Sequence, residues 1–188
     1  MWALVEDGSI TKIINKPRGM IIDGIQYSRK IFSLWSKSER EAKGIYEIVW
    51  NNAKKKDEAY YINTDVSYAF GNGKVTASYG DATARAHADT TDDDGNVTAT
   101  GLKTKRIKTL KAQAAGELSK TDWYIVRKAD ADTAIPSAIT NHRAAVRTKC
   151  ASMETAITNA SNTAAIETLY TRDADGVRPL GDLPTLEV

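Results

Sequence analysis

The hydrophobic period changes once along this chain, and that change limits the fold more than any other feature of the sequence. In the first eighty residues apolar side chains alternate with polar ones in short runs, the period of a half-buried strand. From Leu102 onward they recur every three to four residues, the period of an amphipathic helix. The change predicts an α+β protein, an N-terminal antiparallel β-rich domain over 1–80 followed by a C-terminal helical hairpin or bundle over 102–170. Residues 81–101, rich in Ala, Thr, Asp and Gly, read as a linker or a long hairpin loop, and 171–188 as an extended tail broken by Gly176, Pro179, Gly181 and Pro184.

Turn chemistry divides the first region. Asp7-Gly8, Asp23-Gly24 and Asn72-Gly73 each lie between apolar runs, and these dipeptides supply the positive φ angles of a two-residue hairpin turn. Ser36 and Glu39 match a capping box, and Gly44 sits where a left-handed C-terminal cap belongs, so a short helix interrupts the sheet before a strand over Ile45 to Trp50. The aromatics Trp2, Phe32, Trp35, Trp50, Tyr60, Tyr61, Tyr68, Phe70 and Tyr79 gather here and read first as core.

In the second region Leu102, Ile107, Leu110, Ala114 and Leu118 form one stripe. Thr121 reads as the cap of a helical turn starting at Asp122, and Ile135-Pro136 as the start of a long helix over 137–159. That helix carries a second stripe, Ile139, Val146, Cys150, Met153 and Ile157. Asn162 or Ser161 reads as the cap of a last helix through Tyr170.

Composition narrows the function. With 41% hydrophobic and 27% charged residues the chain is globular in character, and 26 basic against 24 acidic residues give no field suited to nucleic acid. The basic sets Lys54-Lys55-Lys56 and Lys103, Lys105, Arg106, Lys108, Lys111 therefore read as solvated faces. A single cysteine, Cys150, excludes an intrachain disulfide and a multi-cysteine zinc site. The start of the sequence lacks a basic n-region and a long apolar segment, and no run reaches the roughly 18 apolar residues of a membrane span. The expectation is synthesis in a cytoplasm and no membrane partner.

No catalytic constellation emerges. His87 and His142 fall in different segments without a metal-ligand spacing, Gly71-Asn72-Gly73-Lys74 lacks the rest of a phosphate loop, and Cys150 lies on an apolar stripe. Asp92, Asp94 and Asn96 alternate as calcium ligands do, but the terminal bidentate Glu is missing and the glycine is misplaced, so the run reads as a solvated acidic turn. No enzyme activity, metal or cofactor is expected.

One ordered pattern goes beyond composition. Leu118-Ser119-Lys120-Thr121-Asp122-Trp123-Tyr124-Ile125-Val126-Arg127, then Ile135-Pro136, then Asn141-His142-Arg143-Ala144-Ala145-Val146-Arg147 resembles the C-terminal module of phage tail-fibre assembly chaperones and related tail accessory proteins. Trp2 to Gly8, Ile31 to Trp35 and Gly44 to Tyr46 resemble the N-terminal portion often joined to it. The resemblance implies a non-enzymatic bacteriophage tail protein that binds tail-fibre or baseplate proteins and assists fibre assembly or attachment. The alternative it leaves open is a permanent fibre or baseplate subunit of the virion. It places the protein in the virion tail or in the host cytoplasm during assembly.

Within the module Trp123 is expected to be buried between helices, with Arg127, Arg143 and Arg147 projecting as carboxylate-binding forks or pairing with Asp130 and Asp132. Val146 and Met153, on a stripe the preceding helix covers only in part, are expected to leave a surface for a homo-oligomer or a fibre complex. Trp123, Arg127, Arg143, Arg147, Val146 and Met153 are thus the candidate protein-binding residues.

Overall fold

A computed structural model describes residues 1–186 and divides into one compact unit over Met1–Thr83 and a second from Ala84 onward. The architecture is α+β, with strands first and helices after. Among the described residues no helix is long and apolar enough to cross a membrane.

The first unit begins with the strands β1 (Trp2–Glu6) and β2 (Ser9–Ile14), followed by β3 (Met20–Ile22) and β4 (Ile25–Tyr27). The helices α1 (Ile31–Leu34) and α2 (Lys37–Ala42) come next, then β5 (Ile45–Asn51), β6 (Tyr61–Ile62), β7 (Ser67–Gly71) and β8 (Lys74–Ser78). The main sheet has five strands in the order β2-β1-β5-β8-β7. All its pairs are antiparallel except β5 with β8, where Ile48 lies beside Val75 in a parallel ladder. That exception follows from the excursion through β6, which brings the chain back for the β7–β8 hairpin. A wholly antiparallel domain, as the hairpin signals suggest, is corrected at this one pair.

The turn residues act as their chemistry requires. Asp7 and Gly8 have φ of 49° and 75°, Asp23 and Gly24 of 50° and 75°, and Asn72 and Gly73 of 51° and 69°. Two successive positive φ values match the right-handed twist of the flanking strands. β1 is buried on both faces. On one side Leu4 joins Ile14, Met20, Ile22, Ile31, Phe32 and Ile45, with Trp2 set 4.9 Å from the Phe32 ring. On the other side Ala3 and Val5 pack with Ile48, Val75 and Ala77, and side chains from both edge strands, Ile10, Ile13, Tyr68 and Phe70, reach the same cluster. A sheet whose two edges share one cluster must curl.

The capping box closes α2: the Ser36 hydroxyl accepts from the Glu39 amide and the Glu39 carboxylate accepts from the Ser36 amide at 2.7 Å. Gly44, with φ of 75°, then turns the chain into β5. A Cβ there would overlap the carbonyl oxygen of Val5, whose amide donates to Gly44 at 2.8 Å.

Short strands β9 (Thr83–Ala84), β10 (Thr90–Thr91) and β11 (Val97–Ala99) precede the helices. β10 and β11 form a hairpin whose tip is the acidic run. There Asp92 Oδ1 accepts from the amides of Asn96 and Asp94 and Oδ2 from the Asn96 side chain, so this carboxylate organises the turn itself, and these bonds, those from Asn96 foremost, hold it below the usual carboxylate range.

The helices are α3 (Leu102–Ser119), α4 (Asp122–Ala131), α5 (Ser137–Asn159) and α6 (Thr163–Tyr170). The bounds of α5 match those read from the sequence, and Asn162 caps α6 by accepting from the Ala165 amide. α3 starts without a side-chain cap of its own. Distant groups meet its free amides instead: Ala86 and His87 carbonyls accept from Leu102 and Lys103, and the Asp89 carboxylate accepts from Gly101 and the Thr104 hydroxyl.

Leu110, Met153, Ile157 and Leu180 form the helical core. Leu180 belongs to the segment expected to trail away. The tail instead folds back: the Leu180 amide donates to the Leu169 carbonyl, and Asp182 pairs with Arg172 and Arg178. The Arg172 hydrogen bonds, with Arg178 nearby, keep the Asp182 carboxyl below its usual range.

Candidate protein-binding site on the fourth helix

α4 lies between two breaks in the helical path. At its start Thr121 is fully buried, with φ of −120° and ψ of 6°. Thr121 occupies the N-cap position and its carbonyl accepts from the Tyr124 amide, but its hydroxyl makes no cap bond, contrary to its sequence reading. The hydroxyl donates to the Leu118 carbonyl at 2.9 Å and accepts from Arg143 Nη1 at 2.7 Å.

Arg143 organises this corner. From α5, its Nη1 reaches the Leu118 carbonyl at 2.7 Å, the Thr121 hydroxyl at 2.7 Å and Asp122 Oδ1 at 2.8 Å. A terminal guanidinium nitrogen carries two protons, so three acceptors share them. The side chain is 10% exposed whereas Asp122 is 58% exposed, which makes this an ion pair with one buried and one wet end. Hydrogen bonds to a buried charge contribute about 1.5–3 kcal/mol, more than an exposed pair. Asp122 adds a favourable negative charge at the first turn of α4.

Beyond that corner α4 presents apolar groups to solvent. Trp123 is 52% exposed and Val126 is 65% exposed, with Ile125 beside them. The Trp123 ring lies against Tyr124 at 3.8 Å between centroids, and the Arg127 guanidinium sits 4.7 Å from the Trp123 ring and 5.5 Å from that of Tyr124. The stack fixes the indole without burying it. The expectation that Trp123 is a core residue is therefore corrected: a ten-residue helix with no buried residue offers it no pocket.

The three arginines do not form one fork. Arg143 is internal, Arg127 is half-buried in the aromatic stack, and Arg147 is exposed on α5. Asp132 is taken by Lys128 rather than by an arginine. Val146 and Met153 are buried within the chain, Met153 against Leu110, Ile157 and Leu180, so neither offers the free stripe expected for self-association. The folded-back tail supplies the cover that the preceding helix alone does not.

One signal for the exposed face stands in the sequence. Trp123-Tyr124-Ile125-Val126 is a run of four apolar residues on a helix, and at 100° per residue such a run spans most of the circumference. A helix buried on one side cannot cover all of it. Thr121 and Leu118 as acceptors for Arg143 carry no comparable signal, because they lie more than twenty residues from it.

Among the described residues no group of three or more His, Cys, Asp or Glu is placed to hold a metal ion. Compared with known proteins, the chain matches no family model, no curated sequence and no solved structure.

Proposed function

We propose that the protein is a non-enzymatic bacteriophage tail protein that binds a tail-fibre or baseplate protein and assists fibre assembly or attachment, with the exposed face of α4 as its contact. The observation carrying this reading is the exposure of Trp123, more than half open on a helix whose first residue is anchored by Arg143. Thr121, Asp122, Trp123 and Arg143 are among the residues that carry the resemblance to tail-fibre assembly proteins; Thr121, Asp122 and Arg143 meet at this one corner, and Trp123 follows directly in sequence. Large, rigid aromatic side chains flanked by Arg are the groups that most often dominate protein interfaces.

Co-expression with the tail-fibre protein of the same phage tests the proposal. The fibre protein is expected to accumulate as a soluble oligomer only when this chain is present. Trp123→Ala is expected to weaken the complex about 30-fold, the effect of removing an interface hot spot of about 2 kcal/mol. Its denaturation midpoint should remain close to that of the wild type, since the indole contributes little core. A fibre that matures equally well without the chain, or a Trp123→Ala variant that binds like wild type, removes the proposal. Protein analysis of purified particles separates a transient assembly factor from a permanent subunit. Self-association, if light scattering detects it, must use a surface other than Val146 and Met153.

A further inference from the structure

We infer that α4 is a hinged strap, which opens and refolds as a unit while α3, α5 and α6 stay folded, and that the Arg143–Asp122 clamp sets how often it opens. The inference does not depend on the proposed partner.

Three observations carry it. First, α4 has no buried residue: Tyr124 and Arg127 are half-buried and every other position is exposed. Helices α3, α5 and α6 each bury at least two side chains. A helix of ten residues is shorter than the roughly 12–15 that stand marginally alone in water, so its folded state depends on attachments.

Second, those attachments lie at one end. Arg143 grips Asp122, the first residue of α4, together with Thr121 and the Leu118 carbonyl just before it. Past Asp122 the side-chain contacts of α4 are largely its own: the Trp123, Tyr124 and Arg127 stack and the Lys128–Asp132 pair. They stiffen the strap without tying it to the core.

Third, both ends can hinge. Thr121 departs from helical geometry at the start, and at the far end Asp132 takes a left-handed φ of 52° before the irregular 133–136. Opening between these points exposes little apolar surface, because Trp123 and Val126 are already in water. The free-energy difference between closed and open strap is therefore set mainly by the Arg143–Asp122 pair, the one of the three Arg143 bonds whose acceptor lies on the strap itself.

Hydrogen exchange on the full chain, read by mass spectrometry with increasing denaturant, tests this. In wild type the amides of 126–131 are expected to exchange at least about a hundredfold faster than those in the middle of α5, with no denaturant dependence at low concentration, the signature of local opening. Asp122→Ala, which cuts the wet end of the clamp, is expected to speed exchange at 126–131 a further ~5-fold and to leave α3 and α5 within twofold, as loss of one ion pair screened by solvent at its exposed end implies. Arg143→Gln, which removes the same pair from its buried end, should produce at least as large an increase, and the double variant should add nothing beyond Arg143→Gln. Protection of α4 equal to that of α5, exchange in α4 that follows the same denaturant slope as α5, or an Asp122→Ala variant unchanged at 126–131 overturns the inference. If Arg143→Gln fails to fold, Asp122→Ala still decides.

Discussion

The two units reach their folds by different routes. In the first, the decisive groups are neighbours in sequence: Asp7 with Gly8, Asn72 with Gly73, Ser36 with Glu39. In the second, they are distant: Asp89 completes the start of α3, Arg143 joins the end of α3 to the start of α4, and Thr163 donates to the carbonyl of Arg85. Short-range devices lose little chain entropy on closing and remain defined in a peptide, whereas long-range ones exist only after the chain has been brought together. The β-rich unit is thus specified piece by piece, and the helical unit by mutual consent of its parts.

Substitutions can break or sharpen this contrast. The largest effect is expected from Val146→Glu, which places a carboxylate where Val146 is wholly enclosed. It should cost about 4 kcal/mol or more and abolish the folded helical unit, seen as lost helical circular dichroism and protease resistance from Ala84 onward. A folded but dissociated protein would instead return this stripe to the surface.

Gly44→Ala comes next. It strikes a turn of the first unit whose positive φ is local but whose close neighbour, the Val5 carbonyl, is distant in sequence; it requires both a left-handed alanine and displacement of that carbonyl, and should cost about 3 kcal/mol by chemical denaturation.

Two caps then compare the routes directly. Asp89→Ala removes the distant cap of α3 and should cost about 1–2 kcal/mol, with the loss confined to the cooperative unit of α3 and α5. Glu39→Gln keeps the local cap of α2 but removes its titration, and it gives the smallest effect. Hydrogen bonds from the Ser36 hydroxyl and amide hold the Glu39 carboxyl below its ordinary value. A carboxylate with a lowered folded pKa stabilises above its unfolded value of about 4.3, and the contribution disappears as pH falls through the lowered one. Wild type should therefore exceed Glu39→Gln slightly at neutral pH, and the gap should close below about pH 4.

The same contrast explains what could be read from the sequence. The hairpin turns, the capping box, the bounds of α5 and the Asn162 cap were legible because each depends on residues within one or two turns of chain. The parallel pairing of β5 with β8 was not, since alternating apolar residues look alike in either direction. Nor was the interior place of Arg143: an arginine is usually a surface residue, and only its acceptors at Leu118, Thr121 and Asp122 make burial tolerable. Trp123 reversed the usual rule in the other direction. Aromatic bulk argues for a core, but α4 buries none of its residues, and the Trp123 ring packs against Tyr124 and Arg127 of its own helix. As a result the sequence misread which of the candidate residues are inside: Trp123 is exposed, whereas Arg143, Val146 and Met153 are buried.

The inward turn of Leu180 also gives the molecule a timetable. All the strands of the main sheet lie within Met1–Thr83, so the first unit can close as soon as that stretch has left the ribosome. The helical core waits for Leu180, which packs against Leu110, Met153 and Ile157. At about 5–20 residues per second, the intervening chain takes on the order of 5–20 s to synthesise. During that interval α3 and α5 emerge in turn with an apolar groove still open, and the nascent protein carries a finished β unit ahead of an unfinished, adhesive one.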